Sequence, residues 1–228
     1  MSATNNNNSH NGDYPPPKSA CVVAIEGNIG SGKTTLLERI SREIKCSVVC
    51  EPVNEWRSLD NHNLLKYFYS DPKRWSTTFQ TKVLLDMARL QSAPKLAGLN
   101  LQERTIHSAK ICFIDVMHEL NLMNSVEHSI LSQLYRQLTG KEQVDFILYI
   151  RSTPECCLRR IKERNIPEEV AHIDLQYLRQ IHNAHEKWLT HSHCQNINTS
   201  KIPILYIDGD SDPATVVKNA ISALSKVV

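Results

Sequence analysis

The 228-residue chain lacks any long hydrophobic run. Its longest unbroken apolar stretches, Ala20–Ile25 and Phe146–Ile150, are six and five residues, whereas a membrane helix needs about 20. Charge of one sign is also missing. The 26 basic side chains face 24 acidic ones, a formal net charge of +2, so nucleic-acid binding by bulk charge is not expected. The seven cysteines are an odd number without framework spacing, Cys156 and Cys157 are adjacent, and no C-x-x-C occurs. Reduced thiols in a cytosol-like compartment are the expectation. The first 20 residues contain no arginine and no apolar core segment, which argues against a secretory signal and, less firmly, against an arginine-rich transit peptide. Glycine is scarce at seven residues, yet three of them fall between Gly27 and Gly32.

What remains is ordinary for a globular protein, with 41% apolar and 22% charged residues, and the length suits one domain. Residues 1–20 read as a disordered tail, with the polar tract Asn5–Asn8 and the stiff Pro15–Pro17. From residue 21 to 228 strands and helices alternate in one expected domain. Cys21–Glu26, Cys46–Cys50, Leu99–Gln102, Val144–Ile150 and Ile202–Ile207 read as strands. Helical patterns cover Lys33–Lys45, Asp71–Pro94, Ser108–Leu120, Val126–Leu138, Pro154–Arg164, Asp174–Leu189 and Pro213–Val227. Asp71 is placed to cap its helix and Pro72 to occupy its first position. Alternation of this kind predicts an α/β fold, a five-stranded parallel sheet with helices on both faces.

The segment Gly27-Asn28-Ile29-Gly30-Ser31-Gly32-Lys33-Thr34 fits G-x-x-x-x-G-K-[ST]. It follows a predicted strand and opens a predicted helix, which is the context the motif requires. Its glycines let the backbone curl so that N–H groups point at phosphate oxygens. The helix start adds its positive end. Lys33 is expected to neutralise the β- and γ-phosphates of ATP, and the Thr34 hydroxyl to ligate Mg²⁺. The N-K-x-D base-reading motif of GTPases is absent, as is the glycine-rich signature of transporter ATPases. A small-molecule kinase is favoured.

Ligands of open parallel sheets bind beyond the carboxyl ends of the strands. Glu51 follows the second strand, and Pro52 restricts it to an extended backbone. A carboxylate there can accept a proton from a substrate hydroxyl. Glu103-Arg104-Thr105 follows the third strand at the same edge. There Glu103 can hold Mg²⁺ through water, and Arg104 can grip phosphate or the acceptor oxygen.

Taken in order, several segments resemble the deoxyribonucleoside kinases. They are Glu26 to Thr35, Glu51-Pro52-Val53 with Trp56, Tyr69 with Asp71-Pro72 and Trp75, Phe79-Gln80, Glu103-Arg104-Thr105, Tyr149-Ile150-Arg151, Pro154-Glu155 and His185 to Leu189. The resemblance spans roughly residues 21–208. It implies transfer of the γ-phosphate of ATP to the 5′-hydroxyl of a deoxynucleoside. It makes Glu51 the general base with Arg104 beside it and Lys33 in the catalytic set. Arg160 and Arg164 join Gly27 to Thr35 as ATP-binding residues. Gln80 would pair with the base edge, Phe113 stack on the base, Trp56 line the pocket, and Tyr69 with Glu169 hold the 3′-hydroxyl. Purine-tolerant members carry an arginine and an aspartate where Met87 and Ala109 stand here. That apolar pair implies a preference for thymidine and deoxycytidine. A homodimer is also implied, and the mitochondrion becomes the alternative to a cytoplasmic location. No nucleic-acid or membrane partner is expected.

The crowded Arg159, Arg160, Lys162 and Arg164 would form a short arginine-rich lid. The family lid usually continues Arg-x-Arg-x-Glu-Glu, but this chain reads Arg164-Asn165-Ile166-Pro167-Glu168-Glu169. Ile166 thus replaces one expected arginine, and a slower enzyme is a possible result. The loop after Glu169 is one residue longer than is usual. Two other readings remain open: a nucleoside monophosphate kinase, and a non-catalytic nucleotide-binding relative serving as a structural subunit. The first would want an extra basic pair near Glu51–Trp56, and the second should have lost Lys33, Glu51 or Arg104. His191-Ser192-His193-Cys194 lacks standard zinc spacing and reads as surface. Trp188, Leu189 and Tyr135 read as packing, and Trp75 and Phe79 as core or pocket wall.

Overall fold

The structure is a computed structural model and describes residues 20–140, 143–190 and 202–227. Five strands form one wholly parallel sheet: β1 (Ala20–Gly27), β2 (Ser47–Val49), β3 (Gly98–Glu103), β4 (Phe146–Arg151) and β5 (Ile204–Asp208), in the order β2-β3-β1-β4-β5. The central strand β1 is buried on both faces, which suits its β-branched and apolar run. Its side chains alternate as the pleat demands. Val23 and Ile25 face one core cluster, built with Leu36, Leu37 and Ile40 of α1 (Lys33–Glu43) and Val216, Val217 and Ala220 of α11 (Pro213–Leu224). Ala24 faces the other, with Trp188 and Leu189 of α10 (Leu175–Leu189). The helices therefore lie on both faces, and Trp188 and Leu189 are core residues.

A third cluster sits beyond the sheet edge. It joins α2 (Val53–Arg57), α3 (Leu64–Ser70), α4 (Pro72–Gln91) and α7 (Ser125–Leu138) around Trp56, Phe68, Phe79, Leu84 and Leu131. The helices α2 and α3 are additions to the expected set. They are five and seven residues long, too short to display a helical period. Helix α4 starts as expected, with Asp71 accepting from the Arg74 N–H and Pro72 at the first turn.

The expected continuous helix Ser108–Leu120 is instead three pieces. They are α5 (Ile106–Ser108), a π-helical stretch Ala109–Ile114, and α6 (Asp115–Glu119). π-Helical turns are rare and concentrate at functional sites. This one carries Phe113. After β4 come α8 (Pro154–Arg164), with its predicted boundaries, and a further short helix, α9 (Pro167–His172). Thr153 caps α8, and Asn165 ends it in the left-handed conformation at φ 54°. The tail before Ala20 and the stretch His191–Cys194 lie outside the described residues.

Candidate active site

Gly27 closes β1, and the loop from Asn28 to Gly32 leads into α1. Gly30 has φ 76°, and an added Cβ would stand 2.7 Å from the Cys157 carbonyl and 2.9 Å from Ile161 Cγ1. Glycine is needed there both for its backbone and for the close approach of α8. The Asn28 side chain turns inward and donates to the Leu178 carbonyl at 2.9 Å, tying the loop to α10. Lys33 is buried, and its Nζ donates to the Asn28 carbonyl at 2.8 Å and the Gly27 carbonyl at 3.2 Å. Burial, together with the nearby Arg104 cation, lowers its pKa to about 8.

The carboxyl ends of β1 and β3 place a compact set of charges beside this loop. Arg104 leaves β3 in the left-handed region at φ 63°, a conformation that costs a non-glycine residue on the order of 1–3 kcal/mol. Its backbone N–H is anchored to the Ile25 carbonyl at 3.0 Å. The guanidinium reaches Glu51 Oε2 at 3.1 Å and lies 3.9 Å from Glu26 Oε2. It donates to the Gly27 carbonyl at 2.9 Å and lies 4.9 Å above the Phe113 ring.

Glu51 is thus held next to a fixed cation. Burial nevertheless raises its carboxyl, against the lowering pull of Arg104 and with an added push from the Glu103 charge. Glu103 accepts a hydrogen bond from the Thr34 hydroxyl at 2.8 Å. Two oxygen donors therefore meet at the mouth of the loop, a donor set that suits a hard cation such as Mg²⁺. Among the described residues no group of three or more His, Cys, Asp or Glu is placed to hold a metal ion. A cation here would complete its shell from phosphate oxygens and water.

A cavity of about 590 Å³ runs from the loop to the helical cluster. Ile29, Gly30, Gly32, Lys33, Thr34 and Thr35 line one end; Trp56, Tyr69, Phe79, Gln80, Val83 and Phe113 line the other; Glu51, Glu103 and Arg104 lie on its wall as well. Gln80 is buried, and its Oε1 has no hydrogen-bond partner among the described residues. A buried amide oxygen on a cavity wall is an acceptor available to a ligand. Phe79 therefore belongs to the cavity wall. Trp75 stacks on Tyr67 at 5.1 Å and does not line the cavity.

Other predicted residues sit elsewhere. Met87 and Ala109 do not line the cavity. They are buried in the same cluster as Trp56, Phe79 and Val83. Any influence on the pocket would pass through that packing. Arg160 is committed to backbone carbonyls, donating to Ser31 at 3.1 Å and Gly209 at 2.8 Å. It braces the phosphate loop. Arg164 does line the cavity and pairs with Glu169. Glu169 is buried and also meets Arg57 at 3.3 Å, while Arg57 Nε lies 3.3 Å from Glu168. This ion-pair group joins α2, α8 and α9 across the cavity mouth. Tyr69 lies near Glu169, whose charge adds to burial in raising the phenol.

Several of these partners were not read from the sequence. Arg57 follows Trp56 on a helix too short to predict. Glu26 was quoted only as part of a motif. Fully buried, it accepts from the Thr105 hydroxyl at 2.8 Å, and burial raises its pKa to about 7. The one signal for it was a carboxylate at the end of an otherwise apolar strand.

Comparison with known proteins agrees with this geometry. Residues 23–228 match the sequence profile described as deoxynucleoside kinase. The chain is 37% identical over 204 residues to mitochondrial thymidine kinase 2 of Homo sapiens, covering 86% of this chain and 76% of that protein. It is 32% identical over 219 residues to deoxycytidine kinase 2 of Gallus gallus, covering 83% and 82%. It is 30% identical over 217 residues to mitochondrial deoxyguanosine kinase of Xenopus laevis, covering 83% and 82%. A phosphate loop, a carboxylate–arginine pair and an aromatic pocket thus lie in one cavity of a chain that belongs to the deoxynucleoside kinase family, and its activity is phosphoryl transfer to deoxynucleosides.

Proposed function

We propose that the chain transfers the γ-phosphate of ATP to the 5′-hydroxyl of thymidine and deoxycytidine in preference to purine deoxynucleosides. The observation that carries this reading is the single cavity joining the phosphate loop to Gln80, with Glu51 between them. Glu51 takes the proton from the 5′-hydroxyl as the oxygen attacks the γ-phosphorus. Arg104 holds Glu51 in place and offers positive charge to the reacting oxygens. Lys33 and the loop N–H groups hold the donor phosphates. Thr34 and Glu103 would hold Mg²⁺, which neutralises phosphate charge when bound. The protein's part is orientation and charge, with no covalent intermediate.

The Gln80 amide offers one acceptor and donors, matching the edge of a pyrimidine, while Phe113 faces the base and Tyr69 with Glu169 the 3′-hydroxyl. The apolar character of Met87 and Ala109 leaves the cluster behind the pocket without a polar partner for a purine. The thymidine and deoxycytidine kinases among the relatives support the pyrimidine reading. The ranking is tested by kcat/KM for the four deoxynucleosides with MgATP. Thymidine and deoxycytidine should lead by at least tenfold, and equal or higher purine values would refute the preference.

We also propose a homodimer. Leu85 of α4 is 48% exposed, and Val126 and Ile130 of α7 are 69% and 57% exposed. These neighbouring helices present apolar side chains that a second copy would cover. Light scattering on the full chain should give twice the chain mass. For location, the mitochondrial designation of two relatives favours the mitochondrial alternative over the cytoplasmic expectation. Imaging of a C-terminally tagged full chain distinguishes the two. No helix among the described residues is long and apolar enough to cross a membrane.

A further inference from the structure

Asp86 is a charged residue on the buried side of α4, and the transfer scheme above does not use it. Its side chain is 5% exposed. Its Oδ2 accepts a hydrogen bond from Trp56 Nε1 at 2.8 Å. Lys82, one turn earlier on α4, places its Nζ 2.6 Å from both carboxylate oxygens. Arg89 stands farther off, at 3.6 Å from Oδ1, and meets Glu55 at 2.9 Å on the surface. That exposed pair also ties α2 to α4, so its removal gives a control for a contact that joins the same two helices without touching the indole.

An indole has one donor and no acceptor, so the partner of its N–H decides how the ring sits. A carboxylate is the stronger kind of partner. Trp56 stands edge-on to Phe79, with ring centroids 5.4 Å apart and planes at 84°, and Phe79 stacks on Phe68 at 4.8 Å. All three rings line the cavity beside Gln80. A buried carboxylate is costly unless it is paired and hydrogen-bonded. Here Lys82 balances the charge and Trp56 takes the directed bond.

We propose that Asp86 is a positioning residue for nucleoside binding, its carboxylate matched by Lys82 and fixing the Trp56 indole as one wall of the base pocket. This rests on the deoxynucleoside reading of the cavity. Asp86 touches neither the phosphate loop nor Glu51, so its effect falls on the nucleoside and not on ATP.

The test is a double-mutant cycle on the full chain, read as steady-state constants with thymidine or deoxycytidine, whichever the wild type turns over. D86L removes the acceptor. It should raise nucleoside KM roughly tenfold, the loss expected for a buried bond to a charged acceptor. Its kcat should stay within about threefold and its ATP KM should not change, because uniform binding is what is lost. D86N keeps an acceptor of the same shape and should hold KM within about threefold. In W56F, which lacks the donor, D86L should add less than about twofold. E55Q breaks only the surface pair and should leave nucleoside KM unchanged. The proposal is overturned if D86L matches wild type, or if it raises KM as much in W56F as in the wild-type background. Should D86L not fold, the D86A, W56F and D86A/W56F set carries the same decision, since alanine also removes the acceptor. An equal KM rise on D86A in both backgrounds, or none in either, overturns the proposal, and a rise confined to the Trp56 background supports it. Absence of transfer to any deoxynucleoside by wild type removes the underlying reading, and the proposal with it. That outcome is distinct from an active wild type with insensitive Asp86 variants.

Discussion

Replacing Glu51 with glutamine separates chemistry from architecture at this site. Glu51 Oε2 lies 3.1 Å from Arg104 Nε, and a glutamine oxygen in the same place still accepts that hydrogen bond. Arg104 also keeps the Gly27 carbonyl at 2.9 Å and Glu26 Oε2 at 3.9 Å. Burial already disfavours the Glu51 charge in the fold, so the neutral amide should not destabilise the protein at neutral pH. What glutamine cannot do is take a proton. Loss of a general base slows a reaction about 10²–10⁴-fold, about 3–5 kcal/mol of barrier. Rapid-quench single-turnover measurements with MgATP and thymidine should show that loss, with nucleoside Kd within about threefold of wild type. Burial raises the Glu51 carboxyl above its ordinary value, and the deprotonated form is the base. Wild-type kcat/KM should therefore fall as pH drops through a value above the usual carboxylate range, and Glu51→Gln should lack that acid limb. A variant rate within threefold of wild type, or an intact acid limb, would refute the assignment.

Gln80→Ala removes the buried amide whose oxygen has no partner. Nucleoside Kd by calorimetry should weaken roughly tenfold while ATP binding holds, and an unchanged Kd would reject the base-edge role. Gly30→Ala puts a methyl 2.7 Å from the Cys157 carbonyl at φ 76°, so thermal denaturation should show a clear drop in Tm and ATP titration a loss of affinity. An unaltered Tm would mean the loop relaxes freely. Glu26 holds its proton up to about pH 7 in the fold, against an ordinary value of 4.5. Because the folded value is the higher, its contribution favours folding below about pH 4.5 and is lost as pH rises through about 7. In urea denaturation from pH 5 to 8, Glu26→Gln should therefore gain on wild type by up to about 3 kcal/mol. A difference flat across that range would contradict the burial argument.

Local signals carried the parts of the fold that depend on neighbouring residues. The apolar run Cys21–Ile25 marked the central strand because both its faces are buried. Helix α8 keeps the range Pro154–Arg164 expected for it, and the fold shows why, with Thr153 capping its start and Asn165 ending it. The meeting of Lys33, Glu51, Glu103 and Arg104 was legible because each follows a strand of a parallel sheet, and such a sheet gathers those ends at one edge. Register and strand order were not legible, since they depend on pairing between residues far apart in the chain. The π-helical turn at Ala109–Ile114 leaves no period of its own. Helices α2 and α3 are held by the aromatic cluster more than by propensity. The contacts of Arg160 with Ser31 and Gly209, and of Glu169 with Arg57, span long separations. The arginine-rich segment therefore looked like a uniform lid, while in the fold Arg160 braces the loop and Arg164 faces the cavity.

The most direct test of the account is a ³¹P NMR time course on the full chain with MgATP and thymidine. The account predicts ADP and thymidine 5′-phosphate appearing in equal amounts, with the signal of the new phosphate coupled to the 5′ protons. Orthophosphate in place of the ester, phosphate on the 3′-oxygen, or transfer only when a monophosphate replaces thymidine would contradict it.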